Sequence, residues 1–218
     1  MSLILYTYWR SSAAYRIRIA LNLKGLAYEA RPVSLIADGG EHLKTAYRDV
    51  SPQAQLPTLV DDGHVVRQSV AILEYLEETR PAPALLPTDA RGRAKVRELM
   101  LAVATDIHPL GNLRVLKAIE AGFGVDQAGK EDWSRRWIGH GFDGIEKLLA
   151  EKGVAGRFCY GDTPTLADAC LVPQFYNAVR WGLDLAPYPT IRRVAEACQA
   201  LEAFRKAAPE AQPDAPVV

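Results

Sequence analysis

The sequence predicts a small mixed α/β domain followed by an all-helical one, and three observations point that way. Over the first eighty residues, short apolar runs of strand length alternate with segments whose apolar residues recur at helical spacing. Arg80–Pro87 then holds three prolines, a composition suited to a linker. Beyond it the periodicity is helical throughout and no good strand is found. The division predicted is residues 1–80, a linker at 81–87, and a helical domain over 88–218. No internal repeat is present.

Each element has its own signal. Leu3–Tyr8 is a strand by apolar enrichment and length. Ala13, Ile17, Ala20 and Leu21 form a helical stripe that Gly25 ends. Tyr28–Leu35 reads as a second strand, Asp38-Gly39-Gly40 as a turn and Glu41–Val50 as a short helix. After Ser51-Pro52, the run Gln55–Val60 enters a third strand. Asp61-Asp62-Gly63-His64 is a hairpin signal, since Asp-Gly tolerates the positive φ of tight turns, and Val65-Val66 is the fourth strand. Ser69 is expected to cap a helix that buries Ile72, Leu73 and Leu76 and stops before Pro81. The order is β-α-β-α-β-β-α, a mixed sheet with helices against it.

In the second part, Val96, Leu99, Met100, Val103 and Ile107 line one side of a long segment, Ala94–Glu120. Pro109 is expected to bend that helix rather than end it, because the pattern resumes at Leu110, Leu113 and Leu116. Trp133–Glu151, Thr165–Val179, Tyr188–Ala200 and Leu201–Ala207 complete the bundle. The tail Pro209–Val218, with Pro209, Pro213 and Pro216, reads as loosely held.

Composition excludes several classes. Lys plus Arg equals Asp plus Glu at 26 each, so bulk charge gives no pull toward nucleic acid or an anionic membrane. The apolar patch Leu3–Tyr6 is too short for a signal peptide or a membrane span. Cys159, Cys170 and Cys198 are widely spaced and form neither a metal pattern nor a disulfide framework. They read as buried structural thiols in a reducing cytoplasm.

Three short segments have chemical potential. Ser11 and Ser12 follow the first strand at the start of a helix, where unpaired N–H groups and the positive end of the helix dipole favour an anion. A hydroxyl there can donate to a thiolate, and a free thiol of pKa about 8.5 needs such help at neutral pH. Arg10, Arg16 and Arg18 lie close by; one is expected to serve for charge and the others to sit on the surface. At Leu56-Pro57, a cis bond would turn the Leu56 backbone toward a peptide ligand, but X-Pro bonds are cis only about 5% of the time and the residues alone leave this open. Gln68-Ser69, at another helix start, could hold a carboxylate. In the helical part, Asp168 reads as part of a structural cap around Gly161–Asp168. His108 is expected to face solvent, and Asn112, Arg114 and Arg180 are candidates for a cleft.

Taken together these features resemble the soluble glutathione transferases, with their thioredoxin-like first domain and all-helical second domain. Ser11-Ser12-Ala13-Ala14-Tyr15-Arg16-Ile17-Arg18-Ile19-Ala20-Leu21 is similar to the signature of the zeta class, which includes maleylacetoacetate isomerases. Asp38-Gly39-Gly40, Leu56-Pro57-Thr58-Leu59, Gln68-Ser69, Leu85-Leu86-Pro87, Ala167-Asp168, Leu171-Val172-Pro173-Gln174 and Pro187-Tyr188-Pro189-Thr190-Ile191 fit the same class. The resemblance covers nearly the whole chain. It implies a cis Pro57, a homodimer, glutathione as cofactor and a small dicarboxylate substrate, with no metal.

By that resemblance Ser11 faces the glutathione sulfur, with Ser12 and Arg16 in the catalytic group. His42, Leu56, Pro57, Gln68, Ser69, His108 and Asn112 are implied to contact glutathione, and Arg10, Arg180, His108 and Asn112 the substrate. One departure is clear: the class commonly has Ser-Ser-Cys, and Ala13 stands in the cysteine's place. That brings the chain nearer to the glutathione-dependent maleylpyruvate isomerases of the class. The activity implied is isomerisation of maleylacetoacetate to fumarylacetoacetate, with maleylpyruvate isomerisation or conjugation of electrophiles such as α-haloacids as alternatives. A non-enzymatic binding domain of the same fold is a third class of reading.

Overall fold

A computed structural model describes residues 2–216. It falls into two compact units: one takes the chain up to Leu85 and again from Ala200, and the other spans Leu86–Gln199. Element order alone assigned the final segment to the helical part. The structure groups it with the first unit.

The first unit is built on a four-stranded mixed sheet. Its strands are β1 (Leu3–Thr7), β2 (Glu29–Pro32), β3 (Thr58–Asp61) and β4 (His64–Arg67), in the order β2-β1-β3-β4. β1 is parallel to β2, with Thr7 opposite Pro32, and antiparallel to β3, with Tyr6 opposite Thr58. β4 is antiparallel to β3 and pairs Arg67 with Thr58. This register brings the carboxyl ends of β1, β2 and β4 and the amino end of β3 to one end of the sheet. The β3–β4 hairpin forms where Asp-Gly was read, with positive φ at both Asp62 (46°) and Gly63 (88°).

Helix α1 (Ser12–Leu23) is buried from Ser12 through Leu21, because it packs on both α3 (Ser69–Thr79) and α9 (Glu202–Ala207). Ile17, Leu21, Ile72, Leu73 and Leu76 have almost no exposure and share the core with Leu5 and Leu59 of the sheet. Lys24 ends α1 as a buried cation. Its Nζ lies 2.7 Å from Glu77 Oε2 and also donates to the carbonyls of Arg80 and Pro83 at 2.8 and 2.9 Å. Glu77 in turn accepts the Leu85 N–H. Every polar group of this buried pair is thus engaged.

Local side-chain bonds explain where the strand and helix limits differ from the sequence reading. The second strand stops at Pro32 rather than Leu35, because Ser34 Oγ accepts the amides of Ile36 and Ala37 and turns the chain. Glu41–Val50 is split: a 3-10 turn, Glu41–Leu43, is separated from α2 (Thr45–Arg48) by Lys44 in extended backbone. The third strand begins at Thr58, since the Gln55 carbonyl is taken by the Tyr47 and Ser51 hydroxyls. Ser69 is the first residue of α3 and not its cap. Gln68 holds the cap position at φ 69°, without a side-chain capping bond.

The second unit contains α4 (Ala90–Leu101), α5 (Leu113–Phe123), α6 (Gln127–Ala150), α7 (Leu166–Arg180) and α8 (Pro189–Gln199). The expected single helix through Pro109 is broken. A π-helical turn, Ala102–Ile107, and a 3-10 turn, His108–Gly111, follow α4, and Asn112 in extended backbone starts α5 afresh. A Cβ at position 141 of α6 would collide with the Ile107 side chain, so Gly141 allows the π turn its seat on α6. The capping box at α7 is present as read. Asp168 accepts the amides of Cys159 and Thr165 and the Thr165 hydroxyl, each at 2.8 Å. All three cysteines are buried and none forms a disulfide.

The tail is not loose over its described part. Gln212 Nε2 donates to the carbonyls of Lys206 and Ala208, both at 2.9 Å, and Pro209 is buried. Val217 and Val218, the end of the tail read from sequence, lie outside the described residues. Among the described residues no helix is long and apolar enough to cross a membrane, and no group of three or more His, Cys, Asp or Glu side chains could hold a metal ion.

Candidate active site

Four segments meet at the end of the sheet that the register defines: the β1–α1 turn, the loop after β2, the entry to β3, and the β4–α3 junction. Ligands of open α/β sheets bind beyond such strand ends, where helix N-termini also point. In the first segment, Ser11 is the cap of α1, its Oγ accepting the Ala14 N–H at 3.3 Å. Ser11 is half-buried, and its own O–H has no acceptor among the described residues, so it remains available to donate. Ser12 is the first helical residue and is buried. Arg10 is exposed in the turn, its guanidinium 5.1 Å above the Trp9 ring.

The other two arginines are not surface residues. Arg16 is 2% exposed and donates from Nη1 to Ser69 Oγ at 3.0 Å, tying α1 to the start of α3. Arg18 is fully buried and donates to Thr7 Oγ1 and to the carbonyls of Tyr8, Trp9 and Ala207. An arginine flanked by Ile17 and Ile19 in an otherwise apolar stretch was the signal that could have found it. Burial lowers its pKa to about 10, against the nearby Tyr28, Tyr15 and Asp214, so it stays cationic at neutral pH.

At the β3 entry the Leu56–Pro57 bond is cis. Leu56 is half-buried, and no hydrogen bond engages its backbone among the described residues. A second cis bond, Ala82–Pro83, was not foreseen. At the fourth segment, Gln68 is an exposed non-glycine residue in the left-handed region, its Nε2 donating to Gln53 Oε1 at 2.7 Å. Such backbone costs about 1–3 kcal/mol and is concentrated at functional sites. Ser69, 8% exposed, follows at the open helix start. In the loop after β2, His42 sits in the 3-10 turn with its ring over Gly40, where a Cβ would meet it at 2.5 Å. Gly40 also has φ 111°, so the position suits glycine on both counts.

The structure thus gathers Ser11, Ser12, Arg10, Arg16, Leu56, Pro57, Gln68, Ser69 and the His42 loop in one unit. Three candidates lie in the helical unit. His108 is half-buried rather than exposed and borders a cavity of about 10 Å³ with Gln174, Asn177 and Trp181. Asn112 caps α5, its Oδ1 accepting the Arg114 N–H at 3.1 Å. Arg180 ends α7 exposed, its guanidinium 4.1 Å from the Trp181 ring centroid.

Comparison with known proteins adds the family. Residues 5–84 match the N-terminal domain of glutathione S-transferases. The chain is 50% identical to a probable maleylacetoacetate isomerase of Vibrio cholerae over 99% of both chains. It is 51% identical to a maleylpyruvate isomerase of Ralstonia over 96% of this chain and 98% of that one. The chain belongs to the zeta-class glutathione transferases, in the maleylacetoacetate and maleylpyruvate isomerase family. Among solved structures, a holo maleylpyruvate isomerase of the zeta class superposes with a TM-score of 0.95 at 51% identity, covering 98% of this chain and all of that one. A maleylacetoacetate isomerase from Anaeromyxobacter dehalogenans, solved with glutathione in its active site, gives 0.88 at 49% identity, covering 99% and 98%. The zeta-class fold accounts for the strand order and for the helical second unit. The identities to the two kinds of isomerase, 50% and 51%, are nearly equal.

Proposed function

We propose that this zeta-class chain is an enzyme that uses glutathione to isomerise a maleyl dioxo dicarboxylate to its fumaryl form, with maleylacetoacetate the leading substrate. The observation that carries the reading is the Ser11 hydroxyl, with its proton unused, at the N-terminus of α1. The residues present fit glutathione. The unengaged Leu56 backbone suits the cysteinyl amide, and Ser69 at the open end of α3 suits the γ-glutamyl carboxylate, with Gln68 beside it. His42 lies in the loop assigned to the glycyl end.

When bound, glutathione would supply a thiolate for reversible addition to the cis double bond, the π electron pair passing to the conjugated carbonyl and returning when the thiolate leaves, with rotation about the single bond in between. The chain's own part is electrostatic. The Ser11 O–H and the first amides of α1 hold negative charge on the sulfur, so no general base is needed. Arg10 and Arg180 are assigned to the substrate carboxylates, because guanidinium forks bind carboxylates bidentately. His108 and Asn112 are assigned to the keto end. Arg16 acts through Ser69, which it holds. We further propose that the enzyme is cytoplasmic and homodimeric; buried cysteines outside any disulfide support the first and family membership the second. Light scattering that gives the mass of one chain would refute the dimer.

Maleylacetoacetate and maleylpyruvate differ by one methylene, worth about 1–3 kcal/mol in a complementary pocket. Measuring kcat/KM on both is the deciding experiment, with the fumaryl product followed directly. A preference for maleylpyruvate beyond about tenfold would overturn the leading choice. A stable thioether with no isomerised product would favour conjugation of electrophiles instead.

A further inference from the structure

The β1–α1 turn is held from both sides of a single residue. The Trp9 N–H donates to Asp214 Oδ2 at 2.9 Å, and the Trp9 carbonyl accepts from Arg18 Nη2 at 2.9 Å. The preceding carbonyl, that of Tyr8, accepts both from Arg18 Nη1 at 3.3 Å and from the Ser11 N–H at 2.9 Å. Arg18 Nε reaches on to the Ala207 carbonyl at the end of α9, 3.0 Å away. The Gln212 amide bonds fold the following residues back, and Asn22 Nδ2 fastens α1 to the Ala203 carbonyl at 2.9 Å. The C-terminal segment is therefore anchored to α1 at two levels before it delivers Asp214 to the turn.

We propose that Asp214 and Arg18 are positioning residues for Ser11, so that the C-terminal segment is a working part of the catalytic turn. The inference rests on the assignment of Ser11 above. A turn amide such as that of Trp9 would be satisfied by water, so stability alone does not call for a carboxylate there. What the carboxylate adds is direction: with the peptide units on both sides of Trp9 held, one through its N–H and the next through its carbonyl, the torsions that lead to the Ser11 cap (φ −70°, ψ 113°) have little freedom. Asp214 also helps wall a groove of about 430 Å³ with Tyr8, Trp9, Ser34, Ile36 and Glu41. Its acidic wall is unsuited to a dicarboxylate, which argues that Asp214 acts on the turn and does not hold substrate.

The test compares full-length Asp214→Ala and Asp214→Asn with wild type, and with Ser11→Ala as the reference for loss of the hydroxyl. Asp214→Ala is expected to speed hydrogen exchange at the Trp9 amide, with exchange in the β3–β4 hairpin unchanged. It should lower isomerase kcat about tenfold, since small misplacements at a reacting centre cost up to about a hundredfold, while the glutathione KM stays within about twofold. Asp214→Asn keeps an oxygen acceptor and should recover most of the turnover. Unchanged Trp9 exchange, unchanged kcat, or a loss that Asn does not rescue would each overturn the proposal. A fall in kcat accompanied by faster exchange throughout the unit would overturn it too, as a general loss of stability. If wild type neither binds glutathione nor isomerises, the functional assignment fails; the Trp9 exchange of the two variants still decides whether Asp214 holds the turn.

Discussion

Replacing Ser11 by Ala removes two things whose sizes can be worked out separately. The first is the cap on α1. Capping side chains contribute about 0.5–2 kcal/mol, and the 3.3 Å bond from Ala14 N to Ser11 Oγ puts this one toward the lower end. At about 2–4 °C per kcal/mol for a chain of this size, Tm should fall by only a few degrees. Helix α1 survives, because the run from Ser12 to Leu21 is buried against α3 and α9. The second is the donor to the thiolate. A hydrogen bond to a charged group contributes about 1.5–3 kcal/mol, which at 1.36 kcal/mol per pK unit raises the bound thiol pKa by about one to two units. Turnover at neutral pH should then drop about 10- to 100-fold with the glutathione KM little changed. The first amides of α1 remain, so some activation persists. The assay is the ultraviolet absorbance of bound thiolate titrated against pH, beside kcat and KM; Ser11→Thr retains the hydroxyl and serves as the control. A thiol pKa that does not move in Ser11→Ala, or a turnover loss below about threefold, refutes the assignment of Ser11.

Other consequences follow from the same geometry. Ser69→Ala should raise the glutathione KM more than it lowers saturated turnover, because that contact is equal in ground and transition states; steady-state kinetics with the reverse pattern would contradict it. Lys24→Met leaves the buried Glu77 carboxylate and two carbonyls without their cation, so a loss of about 3–5 kcal/mol is expected by denaturant melting, partly recovered in Lys24→Met/Glu77→Leu. Burial of Asp61 acts to raise its pKa, but the Tyr75 hydroxyl at 2.7 Å and the Arg80 guanidinium at 2.7 Å outweigh it and hold the carboxyl below its usual value. The stability it contributes is present above the ordinary carboxylate pKa and is lost as pH falls through the depressed value. Asp61→Asn should therefore flatten the acid limb of a stability–pH curve.

Much of the first unit is determined by short-range rules acting on the sequence itself. Apolar runs of strand length give β1 and β3, and Asp-Gly gives the hairpin between β3 and β4. In the second unit, Thr165 and Asp168 give a capping box for the same kind of reason, since both partners lie within one helical turn. Ser11 was legible as a cap for the same reason, and with it the anion-favouring start of α1. What only the tertiary structure decided depends on partners far away in sequence. Arg16 and Arg18 look like surface charges until Ser69 and Ala207, more than fifty and about 190 residues on, supply their acceptors. The tail reads as loose from its prolines, yet Asp214 meets Trp9 across 205 residues. The break at Pro109 was missed because apolar spacing continues across it; Asn112 takes an extended backbone and caps a new helix, which periodicity does not encode. The residues alone left Leu56–Pro57 open, since the two isomers differ by about 0.5–1 kcal/mol and nothing in the local sequence selects between them. Local chemistry specifies elements and caps, whereas the pairing of buried charges and the path of the chain ends are fixed only when the fold brings distant groups together out of water.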